Sequence, residues 1–271
     1  MPLVPWAILP LVCWALLWSR NSYWNPFFFA GLWLGAAMVM YLASQSGYPG
    51  IRRHAIYSAL SVPLWWWFEL VNSRVGNWEY IGDERYTQLE YFLMASIAFS
   101  TVVPALDAAW RLTIRDRDVG LSIFGRRPAA EKWIQVAVGM GLQIGVFAQP
   151  AWFFPFVWVA PFLILDGLVA YRGGRSLVSD LLDGKWRLAA QIAAGGLLCG
   201  FLWEFWNYWA TPKWVYDIPL LDFGRLFEMP ILGYAGYVPF AWSVYQLLQL
   251  NPLEKILLRP PGAREPSGTA V

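Results

Sequence analysis

Two short stretches of the chain carry residues fit for acid–base chemistry, and they repeat one another. Trp67-Phe68-Glu69-Leu70-Val71-Asn72 is echoed by Leu202-Trp203-Glu204-Phe205-Trp206-Asn207. Each copy is followed by a Trp-x-Tyr, with Trp78 and Tyr80 in the first and Trp214 and Tyr216 in the second. One more glutamate follows each, Glu90 and Glu228. The i, i+3 spacing puts Glu69 and Asn72, and likewise Glu204 and Asn207, on one helix face, where the amide can bond the carboxyl group or a ligand. A carboxyl group in apolar surroundings favours its neutral form, and a neutral acid can protonate a substrate. Trp65, Trp66, Trp67, Trp203 and Trp206 crowd beside the acids, and aromatic faces stabilise cations. An acid within aromatic walls suits a reaction that passes through a carbocation. The competing structural reading pairs Glu69 with Arg74, Glu90 with Arg85 and Glu228 with Arg225.

The elements that must position these groups read as membrane spans. Hydrophobic residues make up 58% of the 271 and charged residues 14%, where soluble domains carry about 25%. Mean hydropathy is +0.42. A span needs roughly 20 mostly apolar residues, and eight stretches qualify: 3–18, 24–44, 55–72, 90–110, 132–149, 151–171, 187–209 and 226–249. The expected fold is an all-α integral membrane protein with a single transmembrane domain over 1–250. The Pro-, Gly- and Arg-rich tail 251–271 reads as disordered. The first apolar run has no preceding Lys or Arg and does not read as a cleavable signal. The loops at 45–54, 111–131 and 172–186, with their flanks and the tail, hold 15 of the 20 Lys and Arg residues. The positive-inside rule then places both termini in the cytoplasm, in a bacterial cytoplasmic membrane.

The repetition extends upstream. Asn25-Pro26 opens the second span and Gln149-Pro150 the sixth, and Phe28, Phe29 and Trp33 correspond to Phe153, Phe154 and Trp158 at an offset of 125. The natural units are repeat one, about 1–115, and repeat two, about 130–250. Four spans per unit make the repeats parallel, related by an axis along the membrane normal. All four glutamates then lie at a similar depth near the outer face.

Other chemistries find little support. Cys13 and Cys199 sit inside spans without partners at redox spacing, where thiols act as small apolar groups. His54 is the single histidine and lies beside Arg52 and Arg53, which argues against histidine catalysis or a His-based metal site. Asp107 and Asp166 read as helix–helix or interface contacts. No nucleotide loop or nucleophile elbow is present. The basic loop with Arg111, Arg115, Arg117, Arg126, Arg127 and Lys132 fits anionic lipid headgroups and has no nucleic-acid pattern.

A helix ending in Trp-Glu, a Trp-x-Tyr in the next loop and a glutamate opening a later helix resembles the small membrane carotenoid cyclases of the lycopene cyclase type. The Trp-Glu element also resembles the fungal transmembrane terpene cyclases. The resemblance covers about 65–95 and 200–245. The cyclases favour a Pro-x-Glu-Glu element where this chain has Gln88-Leu89-Glu90-Tyr91 and Leu226-Phe227-Glu228-Met229-Pro230, with one acid each. The resemblance implies an isoprenoid cyclase, hydratase or isomerase with no cofactor and an apolar isoprenoid or lipid substrate. It makes Glu69, Glu90, Glu204 and Glu228 the candidate acids and bases, with Asn72, Asn207, Trp67, Trp203, Tyr80 and Tyr216 beside the substrate. Two other readings stay open: a transporter or lipid-binding protein that holds a cation or headgroup, and a structural subunit of a membrane complex.

Overall fold

The computed structural model describes residues 3–19, 22–113, 131–219 and 223–251. The expected disordered tail and most of the basic 111–131 loop lie outside the described residues. The described chain is mostly helical. Its helices are α1 (Leu3–Ser19), α2 (Asn25–Ala43), α3 (Ile51–Val75), α4 (Gln88–Phe99), α5 (Val102–Thr113), α6 (Glu131–Ala148), α7 (Pro150–Phe153), α8 (Val159–Tyr171), α9 (Leu177–Leu182), α10 (Arg187–Asn207) and α11 (Tyr237–Leu250). Four short strands, β1 (Trp78–Ile81), β2 (Lys213–Tyr216), β3 (Arg225–Leu226) and β4 (Met229–Pro230), form two antiparallel pairs, β1–β2 and β3–β4.

Among the described residues, three helical stretches are long and apolar enough to cross a bilayer: Asn25–Ala43, Gln88–Thr113 and Arg187–Asn207. A 51° bend joins Pro150–Val157 to Val159–Tyr171, and that pair makes a fourth if it counts as one span. Leu3–Ser19 and Lys132–Ala148 are apolar but shorter. The stretch expected to begin a helix at 226 begins otherwise. Residues 225–230 form the β3–β4 hairpin, Ile231–Gly236 a 3₁₀ turn, and the helix runs only from Tyr237. Pro230 has no N–H to give a helical ladder, and Phe227 at the tip takes a positive φ of 58°. Glu228 therefore sits on a turn, not at a helix start.

The helices pack in pairs, α1 on α2 and α6 on α8, around a centre where α10 meets α5 and α11. Small residues set how close these meet. A side chain at Gly195 would strike the Trp110 backbone, and one at Gly200 would occupy the space of the Tyr237 ring. α3 ends in a left-handed Gly76 whose N–H returns to the Asn72 carbonyl, the usual glycine stop. The Gln88–Thr113 stretch is broken between α4 and α5, where Pro104 offers no N–H to the Ser100 carbonyl and a hydroxyl from α3 enters the ladder. Ser61 Oγ donates to the Phe99 carbonyl (2.5 Å) and accepts from the Val103 N–H (3.0 Å). Those two groups would otherwise bond each other in the i→i−4 ladder, and a side chain inserted there is a known cause of helix breaks.

Candidate functional site

The two echoed stretches build the same small structure. Asn72 lies one turn before the end of α3 and turns back on the following loop. Its amide N–H donates to the Trp78 carbonyl (2.7 Å) and its amide oxygen accepts from the Trp78 N–H (3.1 Å). Asn207 makes the same pair with Trp214, at 2.7 and 2.9 Å. Each asparagine thus starts a strand. β1 and β2 then pair antiparallel, with Trp78 opposite Tyr216 and Tyr80 opposite Trp214. The tryptophan of each copy faces the tyrosine of the other, which gives the ribbon a local twofold relation. Asn25 Nδ2 ties the Thr211 carbonyl to the start of α2 (2.6 Å).

Behind this ribbon sit the acids. Glu69 Oε1 accepts from Tyr80 Oη (2.6 Å), Trp65 Nε1 (2.9 Å) and Trp78 Nε1 (3.2 Å). Glu204 Oε1 accepts from Tyr237 Oη (2.7 Å), Tyr216 Oη (2.8 Å) and Trp214 Nε1 (3.2 Å). The donors are neutral aromatics, in contrast to the arginine partners of the structural reading. Arg74 is directed at the Phe147 carbonyl (2.7 Å). The two acids differ in enclosure. Glu204 is fully buried, and among the described residues its Oε2 is buried without a hydrogen-bond partner. Glu69 is partly exposed.

The donors line one apolar cavity of about 140 Å³. Trp65, Trp78, Tyr80, Trp214, Tyr216 and Tyr237 all face it, joined by Trp158, Trp203 and Phe240. Trp78 stacks on Trp158 and Trp203 on Tyr237. The carboxyl groups and the two asparagines are not in the wall but one layer behind it. The asparagines hold backbone, and the phenols and indoles separate the acids from the cavity. Tyr80 and Tyr216 stand on the strands. Burial, then the neighbouring glutamate, pushes both phenols well above their ordinary value.

The remaining expected site residues fall elsewhere. Trp67 is 39% exposed and packs on Phe147. Glu90 closes a capping box with Thr87 at the start of α4 and accepts from Tyr23 Oη (2.7 Å). Glu228 pairs with Lys213 Nζ at 2.5 Å. The structure thus brings Glu69, Glu204, Tyr80, Tyr216 and Trp203 to the cavity or its backing layer and leaves Glu90, Glu228 and Trp67 outside. Tyr237 was missed, and Trp65 was singled out only as one of five tryptophans beside the acids. Trp65 lies four residues before Glu69, a helical-neighbour spacing visible in the sequence. Tyr237 has no local signal.

The two aspartates serve packing. Asp107 takes bonds from Tyr41 (2.9 Å), Arg111 (2.8 Å) and Trp110 (3.1 Å), joining α2 to α5. Asp166 takes the Leu177 N–H (2.6 Å), Ser176, Gln135 and Gln246, and so anchors α9. Among the described residues, no group of three or more His, Cys, Asp and Glu side chains converges on a point where a metal ion would sit. Comparison with protein-family models, curated proteins and solved structures gives no match.

Proposed function

We propose that this chain is a membrane-embedded isoprenoid-modifying enzyme, a cyclase, hydratase or isomerase that uses glutamic acid to protonate a C=C bond. The observation that carries this reading is the pair of glutamates, each held by neutral Trp and Tyr donors behind one apolar, aromatic-walled cavity. In the proposed step the acid form of Glu204 passes its proton to a phenol oxygen while that phenol's own proton forms a C–H bond with the substrate. The π electrons of the double bond make the new bond and leave a cation among the rings. A neighbouring carbon then gives a proton to the Tyr80 oxygen while the proton of that phenol passes to the Glu69 carboxylate, a new C=C bond forms, and the net charge is restored. In a hydratase, water adds to the cation instead, and the proton that the water loses passes to Glu69 by the same route.

The reading includes eight helical passes in two parallel units, with the β1–β2 ribbon at the outer face and both termini in the cytoplasm. A cysteine placed at Glu84, an exposed loop residue, should react with an impermeant reagent on intact cells. Labelling only after lysis reverses the orientation. The test of function is Glu69→Gln and Glu204→Gln in cells making polyene lipids, with products read by mass spectrometry. Turnover should fall by about 10²–10⁴-fold, the usual contribution of a general acid or base, while the folded yield persists. Full conversion by both variants would end the enzyme reading. One observation favours a non-enzymatic lipid-binding or structural protein: the acids stand behind the wall, where they also lock the ribbon to α3 and α10. That reading expects loss of stability with no product formed by the native chain.

A further inference from the structure

The cavity has a long lining with unlike ends, and its volume of about 140 Å³ encloses part of a chain ligand, the rest of which extends out of it. Tyr91, Met94, Ala95, Ala98, Phe99 and Val102 line it along α4 and into α5. These positions recur every three or four residues over eleven, which at 1.5 Å rise per residue is a wall about 16 Å long. Ala95 and Ala98 leave a groove in that wall. The other face of α4 carries Leu89, Phe92 and Leu93, which are 69%, 48% and 51% exposed, so a single helix separates the groove from the apolar exterior. At the loop end the lining turns polar, with Asn25, Asp83 and Tyr86. Asp83 is the one carboxylate among the described residues lining the cavity. Burial holds its carboxyl above the ordinary value. Deeper along α4 and α5 the lining is Phe99, Val102 and Phe240.

We infer that the cavity takes a linear amphiphile end-on, an apolar polyene-like chain along α4 whose terminal hydroxyl donates a hydrogen bond to Asp83. The inference rests on the cavity being the substrate site proposed above and narrows its substrate to a chain with a polar, donating end. A hydrocarbon offers the Asp83 carboxyl group no hydrogen bond. A carboxylate-ended chain meets a like group there.

The test uses the full chain in lipid nanodiscs and three probes of one length: all-trans-retinol, its hydrocarbon analogue anhydroretinol, and retinoic acid. Binding is read as saturable energy transfer from tryptophan. Retinol should bind about tenfold or more tightly than anhydroretinol, the scale of a hydrogen bond to a carboxyl group. Asp83→Ala should bring that ratio to about one without weakening anhydroretinol. Ala98→Trp, which fills the groove, should abolish saturable binding of both. Circular dichroism on the same samples verifies folding. Equal binding of alcohol and hydrocarbon, tighter binding of the acid, or an unchanged ratio in Asp83→Ala overturns the inference. The two proposals fail separately. Equal binding together with turnover lost in Glu204→Gln removes this inference alone, and alcohol preference with turnover retained in Glu204→Gln removes only the enzyme reading.

Discussion

The two glutamate cages share three of their four parts and differ in the fourth. In both, an asparagine one turn on starts a strand, and the strand's tryptophan and tyrosine donate to the acid. The position four residues before the acid is Trp65 in one copy and Gly200 in the other. Trp65 supplies the third donor itself, an indole N–H. Gly200 supplies nothing, but its missing side chain lets the Tyr237 ring lie against α10 and donate its hydroxyl. An indole N–H only donates, whereas a phenol both accepts and donates. The second cage therefore holds two groups able to pass a proton on and the first cage one. With the deeper burial of Glu204, the proposed enzyme would draw its proton from the second copy.

The sharpest break of this comparison is Gly200→Ala. The added methyl has no room beside Tyr237, so the ring moves, the Tyr237–Glu204 bond is lost and a buried carboxyl group loses a donor. Overpacking costs about 1–3 kcal/mol and a lost partner about 1–3 more. Thermal unfolding in detergent should show a loss of about 3 kcal/mol or more. Trp65→Phe, at the matching position, should cost less because Glu69 is partly exposed. Equal losses would make the two cages equivalent.

Asn72→Ala and Asn207→Ala remove the part that is shared. Each frees one N–H and one carbonyl of a strand tryptophan, at about 1–3 kcal/mol. The same melts should show the larger loss at Asn207, which is fully buried. An equal or reversed order would show that burial does not set the scale here.

Alkaline titration probes the strand phenols together. The folded chain holds the Tyr80 and Tyr216 protons more tightly than the unfolded chain does. Their contribution to stability is thus complete below about pH 10, the unfolded value, and is lost as pH rises beyond it. Phenolate absorbance from these residues, assigned by Tyr80→Phe and Tyr216→Phe, should appear with the loss of helical circular dichroism. Ionisation of both near pH 10 in a fully folded protein would contradict the burial.

The smallest effects belong to the glutamates that match only in sequence. Glu90 caps α4, and Glu228 forms a partly exposed pair with Lys213. Glu90→Gln keeps most of the capping box and should leave the melting temperature nearly unchanged. Glu228→Gln should do the same. A large loss of turnover at either would return them to the site.

The legible parts of the site were those with short, fixed spacing. Glu, Asn, Trp and Tyr recur within a dozen residues in each copy, so their contacts are local and the sequence displays them. Choosing among Trp65, Trp66 and Trp67 needed the helical angle. Residue 67 is about 200° around the helix from Glu69, and residue 65 about 40°, so the nearer letter points away. Tyr237 was hidden because its place depends on an absence, the side chain that Gly200 lacks, 37 positions earlier. The start of the last helix was misjudged because Met229 and Ile231 continue an apolar run that Pro230 prevents from being helical. Helix content followed directly from apolar runs, but the number of runs that cross a bilayer did not. The helical part of 237–250 is short, and α3 begins with Arg52, Arg53 and His54.

Ser61 lies outside the cavity wall, yet it sets the wall's shape. With its hydroxyl removed, the Phe99 carbonyl and the Val103 N–H can bond each other across the break, while Pro104 still keeps the Ser100 carbonyl out of the ladder. Phe99 and Val102, which flank the break, would then shift without any change to a residue of the cavity wall. The bore of the chamber is thus written partly in a neighbouring helix, so two chains with identical linings at these positions can differ in its shape.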